Sequence, residues 1–256
     1  MLPQNWNSEA ESRVYDASYY QNHTKYYERG IANFEKFVRE NVDFQSLCEL
    51  GCGTGAFSAP FVNDKDVLGI DFSVGATEVH YLGKNFLSGD LSKPLNLGKE
   101  FDLVLSLEVW EHLMPQVEEQ YLENIFALKP KTLILSCAIP GQVGRHHYLP
   151  HTHVEANAIC AQFGYTPDEE LTSKFRKIKS LAKFYRANTF VYKKTQKAKV
   201  PTCLNCGKTT SSVKTYCSMA CHADVAVQNT EKAPFKNKDG SPKTVGQYML
   251  ARRNVL

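Results

Sequence analysis

No apolar run in this chain approaches the ~20 residues that a bilayer-spanning helix requires. The opening residues, Met1-Leu2-Pro3-Gln4, lack both the basic and the apolar segment of a secretory leader. These two absences predict a soluble, cytoplasmic protein without membrane contact, in which cysteines stay reduced or bind metal instead of forming bridges. No internal repeat is present, which sets aside solenoids and propellers. The chain also lacks the polar bias of disordered proteins, since 43% of it is hydrophobic and 22% charged. Its 256 residues suffice for one full core plus a small appendage.

The net charge of +3 conceals an asymmetry. Residues 1–192 carry 18 Lys and Arg against 24 Asp and Glu, whereas residues 193–256 carry 12 against 3. The change of composition at Lys193-Lys194-Thr195-Gln196-Lys197 marks a boundary, and the segment beyond it is basic enough to contact nucleic acid or to be a solvated extension.

That basic segment holds four of the eight cysteines. Cys203 and Cys206 form a C-x2-C pair followed by Gly207-Lys208, and Cys217 and Cys221 form a C-x3-C pair ten residues later. Four thiolates so spaced can close a tetrahedral zinc site, and the metal can fold a segment too small for its own core. Residues 218–227 read as a helix whose positive end would favour the second thiolate pair. The pattern resembles treble-clef and zinc-ribbon modules, which implies structural Zn2+ on Cys203, Cys206, Cys217 and Cys221, with His222 the less favoured substitute for Cys221. Cys48 and Cys137 fall in apolar runs and Cys160 on an apolar helical face, so these read as small buried hydrophobes.

The most informative stretch is Glu49-Leu50-Gly51-Cys52-Gly53-Thr54-Gly55. An apolar run, 44–48, precedes it as a buried strand, and Ala56 to Phe61 can open a short helix after it. Alternate glycines allow a sharp turn with positive φ and a close approach of ligand to main chain. Sixteen residues after Gly55, at the end of the apolar run Val67-Leu68-Gly69-Ile70, stands Asp71. A glycine turn after one strand and an acid at the tip of the next suit a ribose-bearing cofactor in an open α/β sheet. Dinucleotide folds space their glycines as G-x-G-x-x-G. Here the order is E-x-G-x-G-x-G, and the leading carboxylate suits a cationic amino-acid moiety better than a pyrophosphate.

On these residues the chain resembles the class I S-adenosylmethionine-dependent methyltransferases over about residues 30–195. The resemblance implies a doubly wound, mostly parallel seven-stranded sheet whose final strand runs antiparallel at its edge. It also implies donor contacts from Glu49, Gly51, Cys52, Gly53 and Gly55. Asp71 and Phe72 match the ribose-binding position, Asp90 and Leu91 in Ser88-Gly89-Asp90-Leu91 the adenine position, and Leu107 and Glu108 the wall after strand four.

The expected domains are an arm over 1–23, a methyltransferase domain over 24–195, a zinc module over 196–230 and a basic tail over 231–256. Tyr27, Ile31, Phe34, Phe37 and Val38 predict one amphipathic helix over 24–41. Trp6, Tyr15, Tyr19 and Tyr20 make the arm a packing segment or a flap over the site. Further strands are expected over 101–107, 131–138 and 189–192, and helices over 115–128 and 153–163.

Chemistry is expected beyond the carboxyl ends of the strands. Glu108, Glu111 and His112 follow strand four, and strand five leads to Pro140, Gly141, Arg145, His146, His147, His151 and His153. Imidazoles can act as general bases near neutral pH, with His112, His146 and His147 the candidates. E-x2-E-H also resembles the fourth motif of small-RNA 2′-O-methyltransferases and some quinone O-methyltransferases, which implies a divalent cation at Glu108, Glu111 and His112 with a further ligand from the histidine loop. The same residues occur in metal-free methyltransferases as structural and donor-binding elements.

Absent motifs narrow the acceptor. The chain has no D/N-P-P-Y/F/W tetrapeptide and no Pro-Cys pair, and no Lys-Asp-Lys-Glu arrangement of messenger-cap ribose enzymes is evident. The expected function is methyl transfer to an O or N acceptor, with nucleic acid recruited by the basic zinc module. The alternatives are a zinc-anchored adaptor with a non-catalytic methyltransferase fold, or an enzyme for a small molecule or glycan whose zinc module binds protein.

Overall fold

In the computed structural model, the described residues are 12–144, 146–195 and 207, with side chains left aside at 23–28. The cysteines expected to hold zinc, His222 and the arm residue Trp6 lie outside them.

The chain begins with α1 (Ala17–Glu28), capped by Asp16, whose side chain accepts from the Tyr19 amide. After Arg29-Gly30 comes α2 (Ile31–Asn41). The single helix expected over 24–41 is therefore two. The break falls at Gly30, where a Cβ would lie 2.4 Å from Leu181 Cδ2, and glycine is a poor helix former. Helix α1 runs through residues 23 and 24, the expected edge of the arm.

β1 (Ser46–Leu50) leads into the glycine turn, and β2 (Asp66–Asp71) into α3 (Val74–Val79). The short helix expected after the glycines is one 3-10 turn, Ala59–Phe61. There follow β3 (Phe86–Ser88), β4 (Leu103–Ser106), α4 (Glu118–Ala127), β5 (Thr132–Leu135), α5 (His153–Gln162), β6 (Tyr165–Pro167), α6 (Glu169–Arg176), α7 (Lys183–Asn188) and β7 (Phe190–Lys194). Thr152 and Glu155 form a capping box at the start of α5, and Asp168 caps α6 by accepting from the Leu171 amide.

The seven strands lie in the order β3-β2-β1-β4-β5-β7-β6. β1 to β5 are parallel, and β7 is antiparallel to both of its neighbours. The final strand thus sits between β5 and β6 instead of at the edge. The tyrosine-bearing strand β6 closes the sheet, and Tyr165 donates to the Pro130 carbonyl (2.8 Å).

Strand periodicity divides the core. Leu47, Val67, Leu103, Leu105, Ile134 and Val191 join the cluster that includes Phe34 and Phe37 of α2, Phe175 of α6 and Tyr185 of α7. Its rings meet edge to face, Phe34–Phe57 at 4.9 Å and Phe37–Phe175 at 5.5 Å. Wholly buried strands of this kind need apolar residues on both faces, which is why they read as continuous apolar runs.

Candidate active site

The β1–β2 end of the sheet builds the first half of the site. Gly51, Gly53 and Gly55 have φ of 72°, 53° and 72°. At Gly51 both conformation and space exclude a side chain, because a Cβ would stand 2.4 Å from Val109 Cγ2. The Gly53 amide donates to Asp71 Oδ2 (2.8 Å), and the Ser73 amide and hydroxyl donate to Oδ1 (2.8 and 2.7 Å). The acid at the tip of β2 is thereby aimed at the glycine turn. Ser73 also caps α3 by accepting from the Ala76 amide (3.3 Å). The signal for this role was present in the sequence, since Asp-x-Ser commonly closes such a turn.

Glu49, the penultimate residue of β1, is almost completely buried and accepts a hydrogen bond from Ser58 Oγ. Burial pushes its carboxyl up to about 8, with Ser58 opposing and the Asp71 charge adding to the rise. Between the ordinary value of 4.5 and about 8 the unfolded chain has released this proton and the folded chain retains it. Stability is therefore expected to fall as pH rises through that window, by about 1.4 kcal/mol per unit at most, and to level off above it. Glu49→Gln should remove that component, and urea unfolding of both proteins at pH 5, 6.5 and ~8 checks it.

Asp90 accepts from the Ser92 amide (2.9 Å) and hydroxyl (2.6 Å), and Lys93 Nζ lies 3.1 Å from its other oxygen. Leu91 is buried and its carbonyl accepts from Asn124 Nδ2 (3.0 Å). Cys52 is buried, and burial raises its thiol. Leu107 is buried and Phe72 half-buried.

The N-terminal segment covers this half of the site. The Tyr20 hydroxyl reaches Ser73 Oγ (2.9 Å), and its ring edge approaches Gly53 so closely that a Cβ there would meet it at 2.9 Å. The Tyr15 carbonyl accepts from the Gly75 amide (2.9 Å), and the Tyr15 hydroxyl shares a hydrogen bond with His112 Nδ1 (3.0 Å).

The second half follows β4. Glu108 has φ of +55°, a conformation that costs a non-glycine residue about 1 kcal/mol or more. Its amide donates to Ser136 Oγ (2.8 Å), and its carboxylate accepts from Asn188 Nδ2 (3.1 Å) and Gln142 Nε2 (3.1 Å). Glu111 stands on the 3-10 turn Trp110–His112 and is 0% exposed. Among the described residues no donor meets either of its oxygens in full hydrogen-bonding geometry, although the main-chain amides of Glu111 and Ala138 and the Glu108 carboxyl act on it. Burial first, and then the Glu108 charge, raises the Glu111 carboxyl well above the usual range. Burial likewise raises Glu108, against the pull of Asn188, Ser136 and Gln142.

The histidine loop is tied back here, because the Tyr148 and Leu149 amides both donate to the Glu111 carbonyl (2.7 and 3.0 Å). That tether brings His147 beside His112, with ring centroids 5.0 Å apart. Glu111, His112 and His147 each offer a ligand atom, and these lie within 4.8 Å of one another. Gly144 packs flat on the His147 ring, 2.0 Å from Nε2 to where its Cβ would be, while His147 Nδ1 is buried without a partner. Burial lowers the His147 pKa and keeps the ring neutral.

The other expected residues part company. Glu108 is held by Asn188 and Gln142 with its carboxyl still acting on Glu111, and the ligand atoms that lie within reach of one another are those of Glu111, His112 and His147. His146 (φ +58°) pairs with the Tyr148 hydroxyl (3.0 Å). His151 is buried with Nε2 2.8 Å from Glu118 Oε1, and Trp110 Nε1 donates to the same oxygen (3.0 Å). His153 meets the edge of Phe190.

A family model described as a methyltransferase domain matches residues 20–177. The chain belongs to that methyltransferase family. Solved structures agree on the fold of this methyltransferase domain. Magnesium protoporphyrin IX methyltransferase of Synechocystis PCC 6803, solved with bound S-adenosylmethionine, superposes with a TM-score of 0.51 at 17% identity, over 74% of this chain and 97% of that one. The CcbJ methyltransferase of Streptomyces caelestis gives 0.54 at 13% identity, over 72% and 99%. The 1,6-didemethyltoxoflavin-N1-methyltransferase of Burkholderia thailandensis, with bound S-adenosylhomocysteine, gives 0.51 at 17%, over 77% and 93%. At such identities the likeness shows the S-adenosylmethionine-dependent methyltransferase fold and nothing finer. No curated protein matches the chain. Among the described residues, no helix is long and apolar enough to cross a membrane.

Proposed function

We propose that this protein transfers the methyl group of S-adenosylmethionine to an oxygen or nitrogen of an acceptor that its basic C-terminal region recruits as nucleic acid. The observation that carries the reading is the placement of the Gly51–Asp71 cradle and the Glu111–His112–His147 cluster at the carboxyl ends of the adjacent strands β1 and β4. Ligands of open α/β sheets bind there.

In this reading Glu49, Gly51, Cys52, Gly53 and Gly55 hold the methionine moiety. Asp71 exchanges one of its internal donors for the ribose hydroxyls, flanked by Phe72, and Asp90 with Leu91 receives the adenine. Leu107 and Glu108 line the wall. A sulfonium is already a strong methyl donor, so the protein mainly aligns the acceptor with the methyl group and takes up a proton. Neutral His147 and its neighbour His112 are the bases in reach of both halves.

The cluster also suits a divalent cation. Both Glu111 oxygens and His147 Nδ1 are buried without hydrogen-bond partners, and a mixed carboxylate–imidazole set fits magnesium, manganese or a similar ion. Glu111, His112 and His147 would hold it, with Glu108 beside them. Such an ion would polarise an acceptor hydroxyl when bound.

The zinc module, with Cys203, Cys206, Cys217 and Cys221 on structural Zn2+, is proposed as the recruiting element; a protein partner is the competing use of the same surface. Tritium from methyl-labelled donor should enter total cellular RNA with the full chain, fall steeply with added salt, and drop at least tenfold when the chain ends at Thr195. Equal labelling by the shortened chain would contradict recruitment through the basic region.

A further inference from the structure

A second group of polar side chains lies just beyond the cluster, and the mechanism does not use it. Asn188, which donates to Glu108 at the end of α7, is followed directly by Thr189 and Phe190. The Arg176 guanidinium, from the last turn of α6, lies over the Phe190 ring at 4.5 Å. The His153 imidazole, at the first turn of α5, meets the same ring at 5.0 Å and 81°. Side chains from two separate elements therefore converge on one aromatic platform.

Their polar atoms are unspent. Arg176 Nε and Nη2, His153 Nε2 and Thr189 Oγ1 are all buried, and none has a hydrogen-bond partner among the described residues. Thr189 is 0% exposed. Buried polar groups are ordinarily satisfied, and a buried cation without an acceptor is costly. Nε and Nη2 are also a specific pair of atoms, because together they form one edge of the guanidinium, the parallel fork that grips two oxygens of a planar or tetrahedral anion. Stacking on Phe190 fixes the plane of that fork. Burial and the Arg176 charge keep His153 neutral, so it adds no competing charge. No carboxylate pairs with Arg176 among the described residues.

We infer that Arg176, with His153 beside it on the Phe190 ring, is an oxyanion site that grips a phosphoryl or carboxylate group of the methyl acceptor. The assignment to the acceptor rests on the methyltransferase reading above; the anion site itself does not. A nucleic-acid acceptor would supply a phosphate, and a small organic acceptor a carboxylate. The short stretch from Phe190 back to Asn188, which donates to Glu108, would then hold the acceptor's anionic group beside the residues that receive its reacting atom.

The test is an NMR titration of the full chain with inorganic phosphate and, separately, with acetate at constant ionic strength, without donor or cation. It is read at the Arg176 Nε–H resonance, assigned by its loss in Arg176→Lys, and at the His153 ring protons. A saturable shift with either anion is expected, and the anion that produces it tells phosphoryl from carboxylate. In Arg176→Lys, which keeps the charge but loses the fork, the His153 shift should require ~tenfold more anion. The absence of a saturable shift with both anions would overturn the inference, as would unchanged affinity in Arg176→Lys. Because no turnover is measured, that outcome leaves the methyltransferase reading standing, and failure to bind donor would leave this titration readable.

Discussion

Glu111→Gln is expected to lower methyl transfer by ~10²-fold or more while raising the stability of the fold. The two effects share one cause. Glu111 is wholly buried, its oxygens have no well-aligned donor among the described residues, and the Glu108 carboxyl adds repulsion. A fold keeps such a group at a cost of roughly 1–3 kcal/mol, and costly groups of this kind are retained where function needs them. Glutamine has the same shape without the ionisable proton, so unfolding midpoints in urea should move up by that order. His147→Ala should match the loss of activity without the gain in stability, since it opens a small void against Gly144. Affinity for S-adenosylhomocysteine should stay within about twofold in both variants, because neither residue belongs to the donor cradle. Retained activity in both would remove the cluster from the chemistry.

Asp71→Ala is expected to weaken S-adenosylhomocysteine binding by ~10²-fold or more. A carboxylate that accepts two ribose hydroxyls makes two charge-assisted hydrogen bonds, each worth about 1.5–3 kcal/mol. Asp71 also organises the turn around it, through the Gly53 amide and both donors of Ser73. Alanine therefore removes the ribose contact and loosens the glycine loop together. Asp71→Asn keeps an acceptor for Ser73 and should lose only ~tenfold. Ser73→Ala should fall between wild type and Asp71→Asn, because the Ser73 amide still donates to Asp71.

The glycine turn, the acid at the tip of β2 and the apolar runs of β1, β2, β4 and β5 were legible in the sequence because each is local. A strand buried on both faces must be apolar throughout, and a turn with three positive-φ residues must be glycine-rich. The arrangement of β7 between β5 and β6 was less legible, since strand order depends on pairings that no local pattern encodes. The need for glycine at the helix break was hidden for a similar reason: what excludes a side chain at position 30 is the proximity of Leu181, about 150 residues away.

The site divides in the same way. Glu111 and His112 are neighbours on one turn, so their convergence could be read from spacing. Which loop histidine joins them could not. That choice is made by the Tyr148 and Leu149 amides on the Glu111 carbonyl, which pull His147 inward and leave His146 to Tyr148 and His151 to Glu118. Glu108 sits beside the trio with a left-handed backbone, its carboxylate shared between the Gln142 and Asn188 amides and the neighbouring Glu111. The unspent atoms of Arg176, His153 and Thr189 come from three elements, and no sequence pattern links them.

Calorimetric titration of S-adenosylhomocysteine into the wild-type protein and Asp71→Ala, with NADH as control, tests the account most directly. The account predicts micromolar binding by the wild type, its loss in the variant, and no heat from NADH. A folded wild-type protein that binds no S-adenosylhomocysteine would contradict it.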